Sequence, residues 1–551
     1  MNHRFQMKWW GWGEDKIKFE LDSKPGILPY VKKKFDIGQL KKAVAPDLDQ
    51  IPITPSQLPQ GIVDSFTKIL GEKNISCEKE DIILHSLGKS YFDLIRLRLK
   101  TPLLTPDLVL YPDTEEQISS IYQICEKEKI AIVPFGGGTS VSSGVEALKG
   151  SNDFVISLDL RNFKQITKID RVSNQAHVEG GIFGPELEEE LMKEGYTLGH
   201  FPQSFEFSTL GGWIATRSSG QNSIIYGGIE KMVTSLRMIS PSGVIETLNT
   251  PRMAAGPDFK EMLTGSEGRF GIIISAVIKI TPAPQEKKYR MYFFRSFKEA
   301  QETSRKIVQL GYRPAMIRVS DEEETEGMMA MGKSDPNFIT QTISNLVKKH
   351  MVSKGYNLES VASVMIGYEG SPSENRELHK KVNHIFKQNC AIGMGTGPGK
   401  KWLKDRFFLP YLRDEFMEND LLVDTLETAT TWENHLVLYD EVKKAIGNAL
   451  SKYDKRYAIY THISHMYHDG ASLYFSIIAP QHTEDPILQW KEMKAAANAA
   501  IKKCGGSCSH HHGVGVDHIP AHHFSDEEKE VMGKLYNHFD PGGILNPGKL
   551  I

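Results

Sequence analysis

Short apolar runs alternate with amphipathic stretches along the first half of the chain. Runs rich in β-branched residues predict strands at Leu108–Tyr111, Ile130–Val133, Phe154–Leu158 and Gly271–Ile280. Polar positions and turn residues separate these runs, so each is expected to be a separate strand of a buried sheet.

Two of the intervening stretches predict helices. Thr114 is a candidate N-cap for a helix over residues 114–127, whose apolar positions share one face. A helix over residues 185–194 has proline in its first turn, where the missing N–H costs little. Strands alternating with helices indicate an α+β or α/β domain. The apolar positions are Ile118, Ile121 and Ile124 in the first helix and Leu187 and Leu191 in the second.

The remaining chain predicts further units. From residue 285 to about 500 the alternation continues with fewer glycines, which predicts a second α/β domain on a sheet of its own. The N-terminal residues predict short helices and an extended arm. The C-terminal residues contain a histidine-rich stretch and then a helix over 525–539 that opens with a capping box. The predicted domain boundaries are 1–90, 91–284, 285–500 and 501–551.

Composition narrows the class of protein. A chain of 551 residues is too long for one hydrophobic core, so two or three domains are expected. The net charge of −3 gives no reason to expect a nucleic-acid partner. The five cysteines, an odd number, argue against a disulfide framework and for a reducing compartment. We find no secretory signal, no peroxisomal ending and no apolar run approaching the ~20 residues of a membrane span.

The strongest local motif is a glycine loop at Pro134–Ser140, directly after the predicted strand Ile130–Val133. Three successive glycines allow positive φ and a close approach of the backbone to a ligand. Several N–H groups can then face one anion such as a pyrophosphate. The loop matches neither the Walker nor the Rossmann spacing. A tight turn without a ligand is the alternative.

Two more small-residue segments favour the ligand interpretation. They lie at Thr209–Gly220 and Gly265–Gly268, and like the glycine loop they follow or precede apolar runs. Together with the C-terminal Asp540–Lys549, these motifs resemble the vanillyl-alcohol-oxidase-type FAD family. The resemblance implies an α+β fold: a two-subdomain, PCMH-type FAD-binding domain plus an α/β substrate cap domain, with an N-terminal helical arm and a C-terminal helical segment.

In that family the small-residue loops hold FAD, and the C-terminal tail returns to the FAD domain. Some members attach the flavin through a histidine near the glycine loop; none lies between Pro134 and Gly144 here, so we expect noncovalent FAD. Arg269 stands where the family has threonine, and its role is open. The cofactor residues implied by the resemblance are Pro134, Phe135, Gly136, Gly137, Gly138, Thr139, Ser140, Thr209, Gly211, Gly212, Ala215, Thr216, Ser219, Gly220, Gly265, Ser266, Glu267, Gly268 and Ile273.

A histidine triplet, His510–His512, is the most unusual stretch of the chain. One interpretation is a polar surface loop. A metal site with Cys504 and Cys508 is a second, but their spacing fits zinc motifs poorly, so we expect no metal. The third is a wall that binds phosphate or moves protons, because histidine titrates near neutral pH.

Ser509–Gly515 narrows the resemblance to the alkyldihydroxyacetonephosphate synthases, the ether-lipid (plasmalogen) branch of the family. Met7–Gly13, Tyr411–Asp414, Glu427–Trp432 and Gly470–Phe475 resemble further motifs of these enzymes. The resemblance implies that acyl-dihydroxyacetone phosphate and a long-chain fatty alcohol give alkyl-dihydroxyacetone phosphate and a fatty acid. The flavin would act through an N5 adduct, with no net oxidation.

The resemblance also implies roles for single residues. Arg413 would bind the substrate phosphate, and Tyr474 matches the family's acid/base tyrosine. His510, His511 and His512 would supply the base and further phosphate contacts, in an order that the sequence leaves open. Without the resemblance, Tyr474 would be interpreted as a packing residue of a strand. Arg413 would be interpreted as a positively charged residue on the surface of a helix.

The alkyl chains of both substrates imply contact with a membrane surface. Residues 338–351 carry an apolar face followed by Lys348 and Lys349, which suits a helix lying on a membrane. A cap helix packed on its own core is the alternative. We expect peripheral association and a cytoplasmic location, although eukaryotic members of the family are peroxisomal. The family often forms homodimers.

Two other functions remain open. A FAD-dependent 2-hydroxy-acid dehydrogenase or oxidase would share the glycine loops, but typically carries Glu-His-Gly where this chain has His511–Gly513. A flavin-bearing lipid carrier without turnover would have no use for Arg413, Tyr474 and the histidines together.

Overall fold

The computed structural model describes residues 7–17, 19, 24, 26–37, 45–330 and 345–551, leaving aside the side chains of residues 345–347. The strands are β1 (Ile75–Ser76), β2 (Leu108–Leu110), β3 (Ile130–Phe135), β4 (Phe154–Asp159), β5 (Ile166–Asp170), β6 (Gln175–Glu179), β7 (Tyr196–Thr197), β8 (Val233–Ser240), β9 (Gly243–Glu246), β10 (Ile272–Lys279), β11 (Thr281–Pro282), β12 (Glu286–Phe294), β13 (Met316–Ser320), β14 (Ala362–Gly370), β15 (Ile392–Gly393), β16 (Leu421–Thr431), β17 (Ala458–Ile463) and β18 (Gly470–Pro480).

Helices connect and cover these strands. They are α1 (Ile27–Lys34), α2 (Gln60–Leu70), α3 (Lys79–Leu84), α4 (Tyr91–Arg98), α5 (Glu115–Glu128), α6 (Gly184–Lys193), α7 (Leu210–Thr216), α8 (Ser223–Tyr226), α9 (Ile229–Met232), α10 (Phe259–Leu263), α11 (Phe297–Gln309), α12 (Glu322–Ala330), α13 (Asn345–Ser353), α14 (Pro372–Gln388), α15 (Gly397–Asp405), α16 (Leu409–Met417), α17 (His435–Leu450), α18 (Pro486–Lys503) and α19 (Asp526–Phe539).

Two small sheets build the N-terminal half. One has the order β1-β2-β4-β3, in which β2, β4 and β3 run parallel. The other has the order β5-β6-β10-β8-β9 and is antiparallel. Each sheet carries its own buried apolar cluster. This α+β pair of subdomains confirms the predicted fold class.

A seven-stranded sheet builds the cap, in the order β15-β12-β14-β13-β17-β18-β16. All of its pairings are antiparallel. The sequence predicted this separate sheet, but alternation of elements alone does not give strand direction. Helices α11, α14, α17 and α18 pack their apolar faces on the sheet and close the largest core of the described chain.

Local signals located the elements well. Thr114 caps α5 through a capping box with Gln117, and Ser525 caps α19 with Glu528. The predicted strands lie within one or two residues of β2, β3, β4 and β10. Within α5, Ile118 and Ile121 are fully buried, while Ile124 lies at the edge of the core. The domain boundaries stay predictions.

The membrane-surface helix predicted over residues 338–351 lies half outside the described residues. Residues 338–344 lie outside the described residues, and α13 begins at Asn345. In the described part of the chain, every helix is too short or too polar to cross a bilayer.

The C-terminal tail closes the exposed edge of the parallel sheet. The N–H of Ile132 in β3 donates to the Ile544 carbonyl at 2.7 Å, and Asn546 N–H donates to the Ile132 carbonyl at 2.8 Å. Arg269 holds the same tail: its guanidinium donates to the Leu545 carbonyl and lies 4.3 Å from the centre of the Tyr536 ring. This contact gives Arg269 a structural role that the sequence left open.

We predict that Arg269→Met loosens the tail. The variant loses a hydrogen bond and a cation–π contact, which together are worth about 1–3 kcal/mol. The melting temperature should therefore fall by a few degrees, and limited proteolysis should cut within residues 540–551. The exposed Lys298 supplies the matched control, Lys298→Met. Equal melting temperatures for the two variants would contradict the assignment.

Candidate active site

The glycine loop leaves no room for side chains. A Cβ on Gly137 would lie 1.6 Å from the Phe207 carbonyl oxygen, and one on Gly136 would lie 2.4 Å from Thr209 Oγ1. Gly138 has φ +66°, a conformation that favours glycine. Among the described residues, the N–H groups of residues 136–139 have no protein acceptor. The loop therefore fits a pyrophosphate-binding nest.

The other two small-residue segments meet at α7. Gly265 N–H donates to the Ile214 carbonyl, and Glu267 N–H donates to the Ala215 carbonyl, each at 2.9 Å. Ser266 Oγ and His200 Nδ1 are buried without a hydrogen-bond partner in the described chain. Buried polar atoms normally have partners, so these two fit the lining of an FAD site.

The structure brings nearly all predicted cofactor residues to this place. Ile273 stands apart, on β10 in the core of the antiparallel sheet. The Glu267 carboxylate faces the C-terminal residues, as described below. Those in the glycine loop and around α7 are Pro134, Phe135, Gly136, Gly137, Gly138, Thr139, Ser140, Thr209, Gly211, Gly212, Ala215, Thr216, Ser219 and Gly220, and those in the loop before β10 are Gly265, Ser266, Glu267 and Gly268.

A buried carboxylate holds the histidine loop, residues 509–515. Glu427, on β16, accepts hydrogen bonds from Ser509 Oγ at 2.7 Å and from the N–H groups of the three histidines at 2.6, 3.0 and 3.0 Å. Its side chain is 1% exposed. Burial opposes the charge, yet the pKa of Glu427 lies well below its usual value, because the imidazoles and the His511 N–H favour the carboxylate.

The three imidazoles lie against the cap sheet. His510 Nδ1 and His511 Nδ1 are 2.9 Å apart, and Tyr467 Oη lies 2.6 Å from His510 Nε2. Burial lowers the pKa of His510 and of His511 to about 4, and also lowers that of His512. The rings are therefore neutral near pH 7 and able to accept protons.

Tyr474 lies among these rings. It pairs with Glu427 across β18 and β16, and its ring centre is 5.5 Å from that of His512. His462 stacks on it at 4.8 Å and contacts Glu324 at 2.8 Å. Burial raises the pKa of Tyr474 to about 12, so its hydroxyl keeps its proton at neutral pH.

A second histidine faces the triplet from the cap sheet. His465 stacks on His510 with ring centres 4.9 Å apart, and ring nitrogens of His465, His510 and His511 lie within 4.8 Å of one another. Neither Cys504 nor Cys508 belongs to this group. The absence of a bound metal stays a prediction.

Arg413 lies on α16, beside Lys89 and Asp414. One guanidinium nitrogen donates to the Lys89 carbonyl. Nε and Nη2 are buried and have no hydrogen-bond partner among the described residues. Burial lowers the pKa of Arg413, against the effect of Asp414, but an arginine stays charged. Two free charged donors suit a phosphate.

Glu267 connects the cofactor loops to the histidine loop. Its carboxylate accepts from the N–H groups of Val514 at 2.6 Å and Gly515 at 2.8 Å. Burial raises the pKa of Glu267 to about 7, although these two donors favour the charged form. The carboxylate is thus committed to the histidine loop, and direct contact with FAD through it stays a prediction.

Sequence reasoning missed several residues of this site. Glu427 was noted only as part of a family-like segment, although a carboxylate in an apolar strand is itself a signal of a buried partner. His462 and His465 lie in the same hairpin as Tyr474, which is formed by β17 and β18. Two histidines a few residues before Tyr474 were the sequence signal for this part of the site. Tyr467 and Glu324 gave no signal.

The fold and the loops define a flavoenzyme, and two family models match in turn. The FAD binding domain model matches residues 106–249, and the model of the C-terminal domain of FAD linked oxidases matches residues 283–550. Two relatives are named alkyldihydroxyacetonephosphate synthase. The one from Dictyostelium discoideum is 34% identical over 99% of this chain and 93% of its own, and that from Trypanosoma brucei brucei is 32% identical over 99% and 92%.

A solved structure of an alkyldihydroxyacetonephosphate synthase also matches. It covers 100% of both chains at 31% identity, with a TM-score of 0.85. The chain therefore belongs to the alkyldihydroxyacetonephosphate synthase family of FAD-dependent enzymes.

We predict that Glu427→Gln releases the histidine loop. Four donors face the carboxylate, and an amide would turn its own NH2 group toward some of them, which costs about 2–4 kcal/mol. Hydrogen exchange should become faster across residues 507–515. Glu433→Gln, on the exposed turn after β16, is the control. Unchanged exchange in Glu427→Gln would remove Glu427 as the anchor.

Proposed function

We propose that this enzyme makes ether lipid. It exchanges the acyl chain of acyl-dihydroxyacetone phosphate for a long-chain fatty alcohol, which gives alkyl-dihydroxyacetone phosphate and a fatty acid without net redox change. The observation that carries the proposal is the convergence of Arg413, Tyr474 and the Glu427-anchored histidine loop beside the cofactor loops.

Arg413 would bind the substrate phosphate. Its free Nε and Nη2 form one edge of the guanidinium, which can donate two parallel hydrogen bonds to a phosphate. Because these two nitrogens are buried, the attraction is weakly screened by solvent. This contact would fix the three-carbon unit while its chain is exchanged.

The histidines would move protons. The exchange requires a proton to leave the carbon next to the carbonyl, and the incoming alcohol must also lose its proton. Neutral His511 and His512 can accept protons, and Glu427 stabilises the imidazolium that forms, since it lies 3.6 Å from His511 Nδ1 and 3.8 Å from His512 Nδ1. His510 hydrogen-bonds His511 and can pass a proton on through Tyr467.

Tyr474 would work as a partner of the histidines. Its protonated hydroxyl can donate a hydrogen bond to the departing carboxylate or to the alcohol oxygen, and a neutral imidazole can take the alcohol proton. His462 stacks on the Tyr474 ring, and Glu324 in turn binds His462, so the ring is held in place. FAD, when bound by the glycine loop and the segments around α7, would supply a nucleophilic ring nitrogen for this chemistry.

The substrates also determine where the enzyme works. Their alkyl chains must leave a bilayer, so we extend the proposal to peripheral association with a membrane surface, as a cytoplasmic protein. A homodimer is the assembly that the family resemblance implies.

The FAD is expected to be noncovalent. No histidine lies in residues 134–144, and Gly136 and Gly137 pack on Thr209 and on the Phe207 backbone. Acid precipitation of the yellow protein should therefore leave FAD in the supernatant, detected by its absorbance. A yellow pellet that keeps its flavin after washing would show a covalent bond instead.

Ether formation tests the proposed function directly. FAD-loaded protein is incubated without oxygen or an electron acceptor, with palmitoyl-dihydroxyacetone phosphate and deuterated hexadecanol. We expect an ether carrying the deuterated chain and one fatty acid per turnover, measured by mass spectrometry. No ether, together with bleaching of the flavin by a 2-hydroxy acid, would support the dehydrogenase alternative. Tight lipid binding without either reaction would support a carrier.

Tyr474→Phe refines the same assay. Loss of an acid/base group typically lowers kcat about 10²-fold or more, with little change in KM. Tyr453→Phe, in the turn after α17, where the Tyr453 ring contacts His482, is the matched control. A Tyr474→Phe enzyme with the kcat of the control would exclude a chemical role for the hydroxyl.

A further inference from the structure

The N-terminal turn, residues 7–13, folds over the helix that carries Arg413. Lys8 N–H donates to the Gly13 carbonyl at 2.8 Å and closes the turn. Gly13 has φ +79°, and a Cβ there would lie 2.2 Å from the Tyr411 ring. Side chains are thus excluded at the point where the turn crosses α16, and the contact is between closely fitted surfaces.

The turn engages one oxygen of Asp414. Trp12 N–H donates to Asp414 Oδ2 at 2.7 Å, and Lys8 Nζ lies 3.2 Å from the same oxygen. The Lys8 and Asp414 side chains are only 4% and 5% exposed. A Cβ on Gly11 would lie 2.4 Å from this oxygen. The turn therefore surrounds Oδ2 with a charge and a backbone donor.

Asp414 is the sequence neighbour of Arg413, yet the two do not form a close ion pair. Arg413 Nη2 lies 3.9 Å from Asp414 Oδ1, beyond hydrogen-bond distance. Among the described residues, neither of these two buried atoms has a hydrogen-bond partner. A shift of about 1 Å would join them in a charge-assisted hydrogen bond.

Lys89 joins the turn to Arg413. Its Nζ donates to the carbonyls of Lys8 at 3.0 Å and Trp9 at 3.3 Å, while its own carbonyl accepts from Arg413. Its N–H donates to the Ser140 carbonyl at 2.6 Å, at the end of the glycine loop. The buried Lys89 thus fixes the relative positions of the N-terminal turn, the Arg413 guanidinium and the glycine loop.

We propose that the N-terminal turn keeps Arg413 available for a phosphate by occupying the carboxylate of Asp414. A phosphate dianion must compete with any carboxylate already bound to the guanidinium. Lys8 and the Trp12 N–H hold the Asp414 carboxylate beyond hydrogen-bond distance of Arg413 Nη2, so the Nε–Nη2 edge stays available. Lys8 is therefore a positioning residue that acts through Asp414. This inference rests on the phosphate role proposed for Arg413.

A double-mutant cycle separates this role from a merely structural one. In Lys8→Met, Asp414 loses its cation and pairs with Arg413, so phosphate affinity falls. In Asp414→Asn there is no carboxylate to compete. In the Lys8→Met/Asp414→Asn double variant both charges are gone, and the second change rescues the first.

The measurement is binding of glycerol 3-phosphate to the FAD-loaded enzyme by calorimetry. We expect Lys8→Met to bind about 10- to 100-fold more weakly than the unmodified enzyme. Asp414→Asn and the double variant should bind within about threefold of it. If Lys8→Met and the double variant bind glycerol 3-phosphate equally weakly, the proposal is overturned. That result is expected if Lys8→Met acts only by disturbing the packing of the N-terminal turn.

Arg413→Met is the reference variant. If it binds glycerol 3-phosphate as tightly as the unmodified enzyme, the phosphate role of Arg413 fails and this proposal fails with it. If it abolishes binding while Lys8→Met has no effect, the N-terminal turn alone is excluded and the proposed function stands. Should Lys8→Met not fold, Lys8→Gln retains a donor to Asp414 and carries the same cycle, with a smaller loss and the same rescue by Asp414→Asn.

Discussion

The site depends on one buried charge, the Glu427 carboxylate in the cap sheet. Removing an ion from water is costly unless hydrogen bonds replace its hydration. Here one hydroxyl and three backbone N–H groups do so, and all four come from consecutive residues of the histidine loop. These hydrogen bonds therefore favour one conformation of the loop, although it lacks regular secondary structure. The backbone positions that carry the three imidazoles are fixed as a result.

Glu267 does the same from the FAD side. Its two acceptor oxygens hold Val514 and Gly515, so the histidine loop is fixed at both ends by carboxylates from different domains. Asn546 Nδ2 donates to the Glu267 carbonyl at 2.7 Å, which adds the C-terminal tail to the same network. Movement of the cap relative to the FAD domain would break these bonds, so the network favours one relative position of the two domains.

What the sequence could predict follows from the range of each signal. The N-cap of α5 and the capping box of α19 depend on residues a few positions apart, and these predictions are confirmed. The contact between Glu427 and the histidine loop spans more than eighty residues and depends on strand pairing. The antiparallel direction of the cap sheet likewise leaves no local trace. Arg413 and Tyr474 were reached only through family resemblance, because each side chain alone fits an ordinary helix or strand.

Several buried polar groups without a hydrogen-bond partner in the described chain lie around the candidate active site. Some buried charges of the cap are matched, as where Asp424 accepts from Trp490 and Lys494. At this site, Ser266 Oγ, His512 Nδ1 and the Nε–Nη2 edge of Arg413 have no hydrogen-bond partner among the described residues. Leaving such groups unpaired lowers the stability of the folded chain. A ligand that satisfies them recovers that free energy on binding, so the polar atoms that weaken the free protein are those that would strengthen its complex.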